Sequence, residues 1–118
     1  MATTTIGSRG LVNADLVLVQ DASFSCAFVH EASDGEPIDH SGWTAWCKIK
    51  GGALDLDLSD RVAFGEDGAI NLVIPDDLTA TIPCGTYNWD LIAEDATGYA
   101  TRIAWGACRV YDSWARDA

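Results

Sequence analysis

The chain has 118 residues, with 18 acidic and 7 basic side chains, a formal net charge of −11 and a hydrophobic share of 48%. Such a length supports one core that buries roughly two-thirds of the unfolded surface, so a two-domain organisation is not expected. The five Trp, three Tyr and three Phe are too many for an acidic disordered tail, and the acidic excess argues against nucleic acid, whose binding depends on Lys and Arg displacing counterions.

No apolar run approaches the ~20 residues needed to span a bilayer, so no membrane association is expected. Residues 1–10 lack the charged start and apolar centre of a secretory leader, which implies synthesis in a cytoplasm. Cys26, Cys47, Cys84 and Cys108 lie far apart without a CxxC pair. In a reducing compartment they read as free thiols, with two disulfides as the alternative.

In chain order, residues 1–14 read as an N-terminal arm. Phe24, Cys26 and Phe28 then share one face of a strand that ends near His30. Residues 31–42, rich in Asp, Gly, Pro and Ser, are loop chemistry. Residues 43–50 alternate again, with Trp43, Ala45, Cys47 and Ile49 on one face and Trp46, Lys48 and Lys50 on the other. Leu54, Leu56 and Leu58 alternate with Asp55 and Asp57, a period that a helix would scatter around its circumference.

After the turn at residues 65–68, residues 69–74 form a strand stopped by Pro75, and residues 76–82 suit one helical turn. Tyr87, Trp89, Leu91 and Ala93 line the next face. A turn at residues 94–98 precedes a last strand, residues 99–111, that is apolar on both sides. The pattern predicts an all-β fold: an immunoglobulin-like antiparallel β-sandwich of about seven strands over residues 15–112, with at most one short helical turn. Residues 113–118 read as a tail that Trp114 could anchor.

Three ordered blocks carry a resemblance. Asp34-Gly35-Glu36-Pro37-Ile38-Asp39 with Ser41-Gly42-Trp43, then Asp77-Leu78-Thr79 with residues 82–91, then Asp95-Ala96-Thr97-Gly98-Tyr99-Ala100-Thr101-Arg102, resemble the loop, strand and hairpin motifs of small immunoglobulin-like virion proteins of tailed bacteriophages. That family includes the N-terminal domains of baseplate upper proteins and small stand-alone structural proteins. The resemblance implies virion assembly without catalysis, in a protein made in the host cytoplasm and located in the virion. From the residues alone, Gly85 permits a sharp turn after Pro83, Tyr87 caps nearby backbone with its hydroxyl, Trp89 fills the core, and Asp90 pairs with Arg102 across strands.

The candidate for chemistry is Asp39-His40 beside Ser41, with His30 and Glu31 nearby. Nucleophilic catalysis needs a hydroxyl or thiol held against an oriented base, which chain neighbours rarely supply. His30 and His40 therefore read as ordinary loop or strand-end residues, and no catalytic residue is expected. Calcium at Asp34, Glu36 and Asp39 or at Glu66 and Asp67 lacks EF-hand spacing, and zinc lacks paired ligands. No metal or cofactor is expected.

The remaining signal is aromatic. With Trp43 and Trp89 inward, Trp46 faces out, and Trp105 or its neighbours do the same on the last strand. Trp46, Trp105 and Trp114 are then candidate partner anchors, against rings lying flat on their own sheet or a platform for sugars. The expected function is a non-enzymatic virion protein, docked on capsid, neck or tail components as a decoration, cement or joining module, with homo-oligomers on the particle. The alternative is a carbohydrate-binding module contacting the host surface.

Overall fold

The structure, a computed structural model, describes residues 2–6, 12–32 and 34–114. Among the described residues ten strands form two stacked sheets: β1 (Ala2–Ile6), β2 (Val12–Asn13), β3 (Leu16–Val19), β4 (Phe24–His30), β5 (Thr44–Gly51), β6 (Leu54–Asp57), β7 (Val62–Phe64), β8 (Ala69–Ile74), β9 (Gly85–Glu94) and β10 (Ala100–Tyr111). One sheet runs β1-β4-β8-β7 and the other β2-β10-β9-β5-β6, with β3 also pairing β10. The fold is an all-β sandwich. One short helix, α1 (Asp76–Thr79), and a 3-10 turn at Ser59–Arg61 interrupt it.

The strands from β4 onward pair antiparallel, as the alternation predicts. The first residues add to that picture. Residues 2–6, expected as an arm, run parallel to β4 from Ala2 opposite Cys26 to Ile6 opposite His30. β2 and β3 run parallel to β10, so the amino-terminal segment touches both sheets. Alternation could not reveal β3, because Leu16-Val17-Leu18-Val19 is apolar at every position; only Leu16 and Leu18 are buried.

Period two elsewhere sorts side chains into an inner and an outer layer. Ile49, Leu91, Ile70, Leu72 and Ile74 are fully enclosed between the sheets. Trp89 stacks on Phe28 of the opposite sheet at 6.3 Å between ring centroids, and its indole N–H donates to the Ala14 carbonyl at 2.7 Å. That bond satisfies the polar atom of a buried aromatic. Tyr87 donates its hydroxyl to the Pro83 carbonyl at 2.6 Å, closing the turn that enters β9 at Gly85.

Each motif block has a local role. Asp95 accepts from the Thr97 amide, the Thr97 hydroxyl and the Tyr99 amide at 2.9, 2.6 and 3.0 Å, which folds the β9-β10 hairpin. Thr79 donates to the Ala22 carbonyl at 3.0 Å, tying α1 to the start of β4. Gly68 has φ of +78°, and a Cβ there would collide with the His30 carbonyl oxygen, so the turn before β8 requires glycine.

Candidate partner-binding face

The outer side of β5, β9 and β10 gathers the aromatic candidates. Trp46 is 53% exposed and stands opposite Ile92 of β9, which stands opposite Arg102 of β10. One row along, Lys48 opposes Asp90, which opposes Trp105. Trp46 and Trp105 therefore share one face, separated by β9.

A register shift places the second of them. Arg102 and Trp105 are three residues apart and in a regular strand would point to opposite sides. A bulge between Arg102 and Ala104 buries Ile103 and Ala104 in succession, so Arg102 and Trp105 both turn outward. The guanidinium then sits 5.3 Å from the Trp105 ring centroid, while its Nη2 lies 3.6 Å from Asp90 Oδ2. Trp105 faces outward, as a partner anchor must. It is half-buried beneath Arg102, a cation–π contact that covers part of the ring. Trp114 is 90% exposed and follows the end of β10.

The face carries charges of both signs. Lys48 Nζ lies 3.2 Å from Asp55 Oδ1, and Arg109 Nη1 lies 3.2 Å from Asp15 Oδ2. The Ala107 amide and Arg109 together hold the Asp15 carboxyl below its ordinary range. Trp46 lines a groove of about 440 Å³ together with Lys48, Lys50, Asp57, Asp90 and Ile92. At the far end Val17, Val19 and Tyr111 extend the exposed apolar stripe, a feature missed in the sequence because β3 was not legible.

The catalytic candidates come apart. The Ser41 hydroxyl and amide both donate to Asp39 Oδ1, at 2.7 and 2.9 Å, and these bonds lower the Asp39 pKa. His40 turns the other way, into the protein. His30 ends β4 and His40 lies in the loop that follows, as expected, yet both are buried, 2% and 5% exposed, with His30 Nδ1 and His40 Nε2 3.1 Å apart. Phe64 stacks on His40 at 4.9 Å, and Trp43 meets it edge-on at 4.8 Å. Burial pushes both imidazoles toward the neutral form, with the pKa of His40 at about 4. For His30 a signal existed, since it shares the inward parity of Phe24, Cys26 and Phe28. His40 sits in a loop that has none.

All four cysteines are free thiols, and burial pushes Cys47 up to about 12. Cys84 is exposed and donates to Asp112 Oδ1 at 2.7 Å. Among the described residues no three His, Cys, Asp or Glu side chains converge to hold a metal.

No family model matches the chain, and no curated protein matches it. Similarity to a solved structure agrees with the all-β sandwich fold. The N-terminal domain of phage TP901-1 ORF48 is similar over 94% of this chain and 99% of that one, with 16% identity and a TM-score of 0.50. The resemblance to phage domains read from the three sequence blocks thus has a counterpart in the fold. A 2,6-sialyltransferase of Photobacterium sp. JT-ISH-224 aligns over 86% of this chain but 18% of its own, at 14% identity and a TM-score of 0.42. A Listeria monocytogenes internalin-like protein aligns over 94% and 29%, at 11% identity and a TM-score of 0.41. Neither of these weaker likenesses bears on function.

Proposed function

We propose that this chain is a non-enzymatic structural protein of a tailed-bacteriophage virion, docked on a capsid, neck or tail component through the outer face of β5, β9 and β10. The likeness to a phage protein domain, from end to end of both chains, is the observation that carries this reading. The ordered sequence blocks support it independently. Trp46 is the central anchor, because an exposed indole lining a groove gains most from being covered. Trp105 and Arg102 act as one preformed unit beside it, and Trp114 is an additional contact at the end of the last strand. The acidic surface elsewhere favours a basic patch on the larger component and sets orientation more than affinity.

The test is incorporation. Unmutated protein should be present in purified particles, and Trp46→Ser should lower its occupancy while leaving the isolated fold intact. Absence of the unmutated protein from particles would overturn the structural reading. Specific glycan binding that disappears in Trp46→Ser would replace it with a host-surface carbohydrate module.

A further inference from the structure

Charge on this molecule is segregated. The outer face of the six-stranded sheet holds Lys48, Lys50, Arg102 and Arg109 among the carboxylates Asp15, Asp55, Asp57, Asp90 and Glu94. Elsewhere among the described residues there are twelve carboxylates and one basic side chain, Arg61. Two copies that approach through the other described surfaces bring mostly carboxylate against carboxylate. At this face the signs nearly balance.

The shape of the face adds a second observation. Trp46, 53% exposed, itself forms one wall of the groove of about 440 Å³, so an open ring and a receiving cleft belong to one patch. A two-fold interface demands that arrangement, because the same surface must supply both the knob and the hole. In the groove Lys48 and Lys50 of the central β5 are flanked by Asp57 of β6 and Asp90 of β9, so each charge pair formed across a two-fold axis would form twice.

We propose that the outer face of the six-stranded sheet joins two copies of this chain around a two-fold axis, each Trp46 seated in the other copy's groove. The inference rests on the docking face described above and names one occupant for it, a second copy. Dimerisation through this face would leave the acidic remainder of both copies turned outward. It would also cover the most exposed tryptophan within the sheets.

Sedimentation equilibrium of the full chain, from about 1 µM to about 1 mM, reads the association directly. The expected result is a monomer–dimer equilibrium. Trp46→Ser should weaken it by about tenfold or more, as loss of a central aromatic anchor does. Lys50→Glu should weaken it too, since the sign is reversed in both copies at once. Val73→Ser, which changes an exposed apolar residue on the outer side of the other sheet, should leave it unchanged. Near-UV circular dichroism and the thermal midpoint show that each variant is folded. A chain that is monomeric across the whole range, a Trp46→Ser variant that dimerises as tightly as the unmutated protein, or assembly that grows past the dimer overturns the proposal. The two readings fail separately. If the protein is monomeric alone yet Trp46→Ser loses its place on particles, the two-fold contact falls and docking stands. If it dimerises through Trp46 but is absent from virions, the reverse holds.

Discussion

Tryptophans on the same sheet point to opposite sides and meet opposite fates. Trp43, just before β5, and Trp89 of β9 face the layer between the sheets, whereas Trp46 of β5 and Trp105 of β10 face outward. Each side sets an indole against a basic side chain. Inside, Trp43 meets His30 and His40 edge-on at 6.1 and 4.8 Å, and burial keeps both imidazoles neutral. Outside, Trp105 lies under the Arg102 guanidinium, which also reaches Asp90 and is open to water. Access of solvent, more than residue type, separates the side that holds the fold together from the side available to a partner.

The largest effect expected on the inner side is that of Trp89→Ala. Truncating a buried tryptophan costs about 3 to 5 kcal/mol, and here it also strands the Ala14 carbonyl. Urea denaturation should find a loss of that size, a large part of a small domain's margin. A loss below about 1 kcal/mol would erase the distinction between the two sides.

Acid should act next. His30 and His40 have folded pKa values below the ordinary 6.5, so as pH falls the unfolded chain takes up protons first. Stability is then complete above about 6.5 and drains as pH falls toward the folded value of about 4, by about 3 kcal/mol for His40 at 1.36 kcal/mol per pH unit. The carboxyls of Asp39, Asp57 and Asp95, lowered from 3.8 by hydrogen bonds to Ser41, Ser59 and Thr97, lose their contribution only as pH falls below that value. Denaturation midpoints at about pH 7, 5, 4 and 2.5 therefore separate the two sources. His40→Phe, which keeps the stack on Phe64, should flatten the upper window and leave the lower one.

Smaller effects sharpen the comparison. Tyr87→Phe removes one 2.6 Å hydrogen bond and keeps the ring, so a cost of about 1 kcal/mol is expected in the same denaturation measurement. Trp46→Ser should change folding stability by less than about 0.5 kcal/mol, the usual range for an exposed position. A thermal midpoint lowered by ten degrees in Trp46→Ser would place that ring in the core, against its 53% exposure.

Much of the fold was legible because alternation is a local property. Cys47 and Ile49 against Trp46 and Lys48, or Trp89 and Leu91 against Asp90, sort correctly from sequence alone because a strand has a fixed period of two. The Asp90 to Arg102 pairing, the Tyr87 cap and the turn chemistry at Asp95 also depend on spacings a reader of the chain can count. The candidate face was legible in part. Trp46 followed from parity, but Trp105 did not, because the bulge after Arg102 inverts parity and no residue there announces it.

What the sequence determined by itself, then, is the all-β class, the strands from Phe24 to Tyr111 other than β7, the short helix and the acidic balance. Each follows from contacts between near neighbours or from counting. Tertiary structure decided the rest. The parallel pairing of the first residues, the meeting of His30 with a histidine ten positions away, and the gathering of Trp46, Arg102 and Trp105 on one face all join segments by sheet packing. Their distances are set by register between strands, which no local pattern encodes.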